Sequence, residues 1–394
     1  MTAEERRAGA GLAAIFALRM LGLFLILPVF SVYAKSLPGG DSLSLVGFAL
    51  GAYGLTQAFF QIPFGSASDR FGRKPVIVFG LLLFAFGSFV AAWAPDIYWI
   101  IGGRVLQGAG AISAAVTALA ADLTREEHRT KVMAMIGSSI GLVFALSLVG
   151  APVLYGWVGM AGLFILTGIL ALAAIGLLLK AVPAAPPVPA HDKPPFRRVL
   201  LDPNLLRLNF GIFSLHLIQM AMFVVVPHAL IQFGGLPVSG HWKVYLPAVL
   251  VSFVIMIPAI IAAERGGKMR PVFSGAIAIL VLVQLGLWFL GNSLAGLALW
   301  MVLFFVAFNI LEATLPSLVS RTAPPAAKGA ALGVYNTTQA IGLFVGGALG
   351  GYLAQHFGDN SVFATAAALA FVWLLVAASM NFPSRRPAPA ATHN

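Results

Sequence analysis

The chain has 394 residues, of which 60% are hydrophobic and only 9% carry a charge. Soluble domains carry a much larger share of charged residues, so this composition excludes a soluble enzyme. The net charge of +11 would suggest nucleic acid as the partner of a soluble protein, but here the basic residues lie in short breaks between apolar runs. The lack of cysteine in the sequence excludes disulfides and thiolate metal sites.

A membrane span needs about 20 mostly apolar residues, and the sequence offers twelve such runs in two sets of six. The first set lies at 11–34, 45–64, 76–93, 98–121, 132–155 and 160–179. The opening run is too long for a signal peptide, so we interpret it as a retained span. The second set lies at 208–233, 244–263, 272–290, 294–319, 331–355 and 361–380. The sequence therefore predicts an all-α membrane protein with twelve transmembrane helices.

The segment 182–205 between the two sets is rich in proline and charge, so it can neither continue a helix nor enter lipid. It predicts a linker between a first half, 1–181, and a second half, 206–382, with a short tail at 383–394. When the spans alternate in direction, all but four of the 24 Lys and Arg residues fall on the side that holds the N-terminus. By the positive-inside rule, both termini and the linker are then cytoplasmic.

The two predicted halves carry matching loops. Asp69-Arg70-Phe71-Gly72-Arg73-Lys74 follows the second span, and Glu264-Arg265-Gly266-Gly267-Lys268 follows the eighth. Nearly the same spacing separates Lys131 from Lys328. Because one offset recurs across half of the chain, we predict two parallel six-helix repeats, with a substrate site between them near the membrane midplane.

The first of these loops carries a family signature. The segment from Gly65 to Lys74 closely resembles the loop motif of the major facilitator superfamily. Arg104, Gln107, Gly108 and Gly110 in the fourth span resemble the second motif of its drug:proton antiporter branch. The third motif of that branch is only approximated around Pro152.

Over almost the whole chain, the sequence resembles the YajR group of bacterial inner-membrane antiporters within that branch. Members of that group carry a soluble domain after the last span. This chain ends at Asn394, shortly after the last predicted span, so we expect no regulation through such a domain.

The loop motif predicts a conformational latch. Gly65 lets two helices approach, and Asp69 accepts hydrogen bonds from the free amides of a helix start, which the resemblance places at the eleventh span. Arg73 is then placed to pair with Asp122 and to hold the outward-facing state. The alternative is that these charges only mark topology. The predicted latch residues are Gly65, Asp69, Arg70, Gly72, Arg73, Lys74 and Asp122.

Ionisable groups at membrane depth cost at least about 2.5 kcal/mol, so each is a functional candidate. Glu312 is the carboxylate placed well inside a predicted span and is the leading proton carrier, with structural pairing to Asn309 as the alternative. His216 is the second carrier, because imidazole titrates near neutrality. Arg19 and Arg104 complete the predicted proton-coupling set, while His228 is interpreted as interfacial.

Polar residues on the inner spans predict the lining of a cavity: Gln107, Gln219, Asn309, Tyr335, Asn336 and Gln339. Gly342, Gly346 and Gly350 recur every four residues and predict close helix packing. His216 and Met220 could bind copper(I), but a polar helix face explains them better. Gly108 and Gly110 lack the strand and turn of a nucleotide loop, so we expect neither metal nor cofactor.

These features predict a proton-driven efflux pump for small amphiphilic or drug-like molecules, working by alternating access in the bacterial inner membrane. Arg19 stands where cation-exporting relatives carry an acid, which leaves neutral or anionic substrates open. A symporter or facilitator on the same fold is the alternative transport mode, and a non-transporting membrane sensor is the alternative from another class. The expected partners are lipid, protons and a small substrate, with no nucleic acid, and we expect a monomer.

Overall fold

The computed structural model of the chain describes residues 1–183, 199–264, 266–291, 293–324 and 327–380. Most of the predicted linker 182–205 and the whole predicted tail 383–394 lie outside these residues. Every regular element within the described ranges is a helix.

Seven α-helices form the first half of the chain. They are α1 (Ala3–Phe24), α2 (Leu27–Ala34), α3 (Leu43–Phe71), α4 (Arg73–Ala92), α5 (Ile97–Ala109), α6 (Ser113–Asp122) and α7 (Glu126–Ala181). Local sequence explains where α1 begins, because Thr2 and Glu5 form a reciprocal capping box that satisfies two free amides. Asp96 starts α5 in the same way by accepting from the amides of Tyr98 and Trp99.

Six α-helices and one short 3-10 turn, Val238–Gly240, form the second half within the described residues. The helices are α8 (Pro203–Gln232), α9 (Trp242–Glu264), α10 (Met269–Leu290), α11 (Leu294–Thr322), α12 (Lys328–Phe357) and α13 (Asp359–Ala378). Asp202 caps α8 through the amides of Asn204 and Leu205, and Pro203 occupies the first helical position, where no amide is needed.

Ten helical stretches within the described residues are long and apolar enough to cross a membrane, against the twelve predicted. Two features account for the difference. The 56-residue α7 covers the predicted fifth and sixth spans and leaves helical geometry only at Gly159, with φ 64 and ψ −174. The 30-residue α12 is not among the ten, because glycines and polar residues lower its hydropathy. The number twelve remains a prediction.

Two predicted spans are each divided into two helices. In 11–34, α1 ends at Phe24 and α2 begins with Pro28 in its first turn, where the missing amide interrupts helical hydrogen bonding. In 98–121, the break lies around Gly110. A Cβ on Gly110 would lie only 3.1 Å from the carbonyl carbon of Gly80 on α4, so this close contact requires glycine. Hydropathy alone does not reveal either break.

Contacts between helix ends define two faces of the bundle. On the face that holds the N-terminus, called the N face here, Arg125 Nε donates to Glu5 Oε1 at 2.9 Å, and Lys74 Nζ donates to the carbonyl of Val182 at 2.5 Å. In the second half, Arg270 Nη2 donates to the carbonyl of Ala378 at 2.8 Å. Each of these N-face contacts joins helices of the same half.

The two halves pack against each other toward the opposite face. At the start of α3, Ser42 Oγ and the amide of Ser44 both donate to Gln355 Oε1 on α12, each at 2.9 Å. Further along the same crossing, a Cβ on Gly347 would lie 2.9 Å from the amide nitrogen of Gly51. The buried core of the second half is continuous with first-half residues 25–34 and 46–50, whereas 12–23 and 76–85 belong to a separate first-half cluster. The bundle is therefore closed at the opposite face.

Candidate functional site

Three predicted residues of the second half form one polar cluster: His216 on α8, Glu312 on α11 and Gln339 on α12. His216 Nδ1 lies 3.3 Å from the carbonyl of Ile212 on its own helix. A carbonyl only accepts, so Nδ1 carries the proton and Nε2 is left as an acceptor for the Gln339 amide nitrogen at 2.7 Å. His216 Nε2 lies 3.8 Å from Glu312 Oε2. The Gln339 amide therefore occupies the lone pair of Nε2, and the Glu312 carboxyl group lies beside this edge of the imidazole without a hydrogen bond to it.

Accessibility in this cluster is uneven. The Glu312 side chain is 33% exposed, while that of His216 is 7% exposed. Even so, Glu312 Oε2 is itself buried and has no hydrogen-bond partner among the described residues, and the same holds for the Tyr335 hydroxyl. The side chain is thus partly accessible while one of its oxygens faces the interior, which suits a group that gains and loses a proton.

An aromatic cluster beside Glu312 joins the two halves. Phe144 on α7 contacts Phe308 on α11 with ring centroids 5.7 Å apart, and Phe24 on α1 contacts Phe144 at 5.0 Å. Phe308 also packs edge-on against His216 at 5.8 Å. Because Phe308 lies one turn from Glu312, a movement of one half against the other reaches the polar cluster directly.

Arg19 lies inside the first half and not in the cluster around Glu312. It is fully buried. Its Nη1 donates to Ser113 Oγ at 3.3 Å and its Nη2 donates to the carbonyl of Gly110 at 3.2 Å, so it bridges the break between α5 and α6. Its guanidinium also lies over the rings of Tyr53 and Phe84, at 5.8 and 5.5 Å. Two such contacts, at up to about 2 kcal/mol each when desolvated, offset much of the insertion cost of about 3 kcal/mol.

Arg104 and Gln107 form a second buried network in the first half. Arg104 donates to the carbonyls of Ala49 and Leu50 and, at 2.8 Å, to Gln107 Oε1. Gln107 Nε2 in turn donates to Ser88 Oγ at 2.8 Å. All three nitrogen groups of this arginine are occupied, and the network fixes α5 against α3 and α4. Gln107 is completely buried in this conformation, and its predicted place in a cavity lining stays a prediction.

The predicted latch residues gather at the N face. Arg73 Nε donates to Asp122 Oδ2 at 2.9 Å, its Nη1 donates to Ser68 Oγ at 2.7 Å, and it also pairs with Asp69 one turn away. Gly72 joins α3 to α4 with φ 92, a conformation that glycine adopts without strain. The exposed Arg70 and the backbone-bound Lys74 complete the group.

The predicted role of Gly65 in helix approach stays a prediction. A Cβ at that position would meet Ala114 Cβ at 3.4 Å, an ordinary contact. The predicted contact of Asp69 with the start of α12 stays a prediction, since residues 325–326 before that helix lie outside the described residues.

The remaining predicted cavity residues differ in their exposure and contacts. Asn336 and Gln339 are partly exposed, as expected for a lining, whereas Gln219 and Tyr335 are buried. Asn309 Nδ2 donates to Ser252 Oγ on α9 at 2.8 Å. Its amide therefore binds α9 in this conformation, and the alternative in which Glu312 pairs with a polar neighbour such as Asn309 stays a prediction.

Sequence reasoning missed several residues of these sites. Tyr53 touches both buried arginines, and Ser113 binds Arg19, yet each stands alone in an apolar run without a motif around it. Phe144 and Phe308 could not be separated from the other 28 phenylalanines by pattern, because thirty of them are spread over the whole chain. The only available signal for Ser113 was its position just after Gly108 and Gly110.

Comparison with known proteins agrees with this architecture. The profile of the Major Facilitator Superfamily matches residues 12–347 and 310–393. The chain is 47% identical over 388 residues to the inner membrane transport protein YajR of Escherichia coli (strain K12), covering 97% of this chain and 85% of that relative. It is 26% identical over 369 residues to the multidrug resistance protein MdtH of Aeromonas hydrophila, covering 90% of each.

A solved structure of a bacterial homolog of the human lysosomal transporter Spinster, in an inward-facing and occupied conformation, superimposes with a TM-score of 0.76 at 12% identity. The match covers 96% of each chain. At this level of identity, the likeness concerns the fold alone.

Proposed function

The chain belongs to the major facilitator superfamily and is a multi-pass membrane transporter, not an enzyme, and we propose that it is a proton-coupled antiporter. In this proposal it exports small amphiphilic or drug-like molecules by alternating access. The observation that carries the proposal is the cluster of His216, Glu312 and Gln339, placed beside aromatic contacts between the halves.

The proposed architecture has twelve spans in two six-helix halves, 1–181 and 206–382. Counting α7 as two spans divided at Gly159 and adding α12 to the ten apolar stretches gives that number. The N face is assigned to the cytoplasm of a bacterial inner membrane, with both termini, the linker 182–205 and the tail 383–394 on that side, because the Lys and Arg residues concentrate there. We propose that the transporter acts as a monomer.

In the proposed cycle, this conformation is the inward-facing one, open to the cytoplasm. Its halves pack at the opposite face, and the N-face contacts of Arg125 with Glu5 and of Arg270 with Ala378 each stay within one half. Protonation of Glu312 or His216 changes the charge beside the aromatic cluster of Phe144 and Phe308 and so alters the contact between the halves. A proton taken up from outside and released inside then drives the return movement.

The N-face cluster around Arg73 acts as the latch of the alternate state in this proposal. Arg73 already holds Asp122 and Asp69 in place, which keeps the ends of α3, α4 and α6 as one rigid unit. When the halves close on this side, Asp69 is presented to the start of α12, whose free amides attract a carboxylate.

Reconstitution into liposomes that contain a pH-sensitive dye tests the proposal. Neutral, anionic and cationic aromatic amphiphiles are added in turn, and the internal pH is followed. An antiporter moves protons against the direction of the transported compound. Proton movement in the same direction would establish a symporter, and transport with no proton movement would establish a facilitator. Liposomes without protein provide the baseline for passive permeation.

A further inference from the structure

Arg19 and Tyr53 lie together in the buried interior of the first half, a place called the pocket here, and each has one polar atom that is not satisfied within the described part of the chain. Neither Arg19 Nε nor the Tyr53 hydroxyl has a hydrogen-bond partner there, and Tyr53 is only 2% exposed. The Arg19 guanidinium carbon lies 5.8 Å from the centroid of the Tyr53 ring. Arg19 Nε only donates and the Tyr53 hydroxyl can donate as well, so an added acceptor would satisfy both groups.

The same pocket lies at the break between α5 and α6. Arg19 Nη1 reaches Ser113, the first residue of α6, and Nη2 reaches Gly110, the residue that ends α5. The first amides of α6 have no helical partner and form the positive end of that helix. In membrane transporters, breaks of this kind place helix ends against the ionic groups of substrates. Here the guanidinium bonds the carbonyl end of α5 through Gly110, and the positive start of α6 lies beside it, so an anion at this break would contact both positive groups.

The charge of the region is unbalanced. Arg104 contacts the same tyrosine, with its guanidinium carbon 5.2 Å from the Tyr53 centroid. Neither arginine forms a salt bridge with a carboxylate of residues 1–183, 199–264, 266–291, 293–324 or 327–380. A guanidinium does not release its proton in a protein. Within the described residues both charges are therefore met by carbonyl, hydroxyl and amide oxygens and by aromatic rings, without a carboxylate, which leaves the region positive.

We propose that the pocket of Arg19 and Tyr53 binds the anionic group of the transported amphiphile, a carboxylate, sulfonate or phosphate attached to an apolar body. Oxygen atoms of the acid accept from Arg19 Nε and the Tyr53 hydroxyl, and the free amides of α6 stabilise the remaining charge. The neighbours Leu18 on α1 and Ala114 on α6 are partly exposed, so the pocket lies behind an accessible surface. This inference rests on the proposed function in one respect, because it identifies the bound acid as part of the transported substrate.

Two probes with the same ring and opposite charge test the inference: naphthalene-2-sulfonate and trimethyl(2-naphthyl)ammonium. Their binding to the purified full-length chain in detergent is measured by equilibrium dialysis. We expect the sulfonate to bind and the ammonium ion not to bind. Arg19→Gln is expected to weaken sulfonate binding about tenfold or more, since it removes charge-assisted hydrogen bonds. Arg19→Lys is expected to retain part of the affinity.

Tyrosine variants provide the matched pair. Tyr53→Phe is expected to weaken sulfonate binding several-fold. Tyr245→Phe removes another buried and unpartnered tyrosine hydroxyl in the second half and is expected to leave binding unchanged. The tyrosine pair also keeps the test decisive if Arg19→Gln fails to fold.

Equal binding of the two probes to the wild type, or sulfonate binding that survives both Arg19→Gln and Tyr53→Phe, would overturn the inference. Transport in liposomes separates it from the proposed function. If the ammonium probe is pumped against a pH gradient and the sulfonate is not bound, the antiporter stands and the anion pocket falls. If the sulfonate binds through Arg19 but moves without protons, the pocket stands and proton coupling falls.

Discussion

Replacing Glu312 with glutamine should abolish the substrate gradient that a pH gradient maintains across the membrane. One pH unit stores about 1.4 kcal/mol per proton, enough to hold a substrate gradient of about tenfold for one coupled proton. Glutamine keeps the size of the side chain but cannot carry a proton between the two sides. We therefore expect an accumulation ratio of one for Glu312→Gln in proteoliposomes with a one-unit pH gradient, while exchange without a pH gradient continues.

The control for this prediction is Glu264→Gln. Glu264 is likewise a glutamate of the second half, but it ends α9 at the N face, where its carboxylate pairs with Arg321 and accepts from Ser317 Oγ at 2.9 Å. This variant should keep the gradient. His216→Gln distinguishes the two proton carriers: if it abolishes accumulation and Glu312→Gln does not, the imidazole carries the proton. A Glu312→Gln protein that still accumulates substrate would exclude Glu312 from coupling.

Adding a side chain at Gly347 should prevent the halves from closing at the opposite face. A Cβ there would meet the backbone of Gly51. A helix backbone cannot move away from the added group as a flexible side chain can. Overpacking of this kind costs about 1–3 kcal/mol, which shifts a two-state equilibrium by about 5–150-fold. We expect Gly347→Val to favour the state that is open at the opposite face and to reduce transport by a similar factor.

Cross-linking measures this shift directly. The chain has no native cysteine, so the double variant Ser42→Cys, Gln355→Cys reports only the contact between α3 and α12. A short bis-maleimide should join the two cysteines in an otherwise wild-type chain and much less in a Gly347→Val chain. Gly333→Val on the same helix is the matched control, because a Cβ at Gly333 meets nothing within 4 Å. Equal cross-linking in all three chains would contradict the prediction.

Hydropathy predicts most of the helices of this fold, because the spans are long apolar runs separated by charged loops. The chain breaks at Pro28 and Gly110 were missed since both lie within continuous apolar stretches, and packing against α4 determines the second of them. The glycines of α12 show a similar limit. Gly342 and Gly346 follow a regular spacing and pack against α8 as predicted, but the contact of Gly347 with the other half requires knowledge of the tertiary structure.

The same limit of sequence-based prediction applies to the candidate sites. Glu312 and His216 were identified because an ionisable residue is rare at membrane depth, and the structure places them 3.8 Å apart. Sequence could not show that the contacts of Arg19 and Arg104 stay within the first half, nor that both arginines contact Tyr53. These contacts join α1, α3 and α5, which are distant from one another along the chain.

Distances between spin labels in the intact transporter test the alternating movement most directly. One pair on Ser42→Cys and Gln355→Cys reports the opposite face, and a second pair on Arg70→Cys and Lys328→Cys reports the N face. Electron–electron resonance is measured in nanodiscs at high and low pH. We expect the opposite-face distance to lengthen as the N-face distance shortens when Glu312 and His216 become protonated. Distances that stay fixed, or that lengthen together, would contradict a transporter whose halves rock about the site between them.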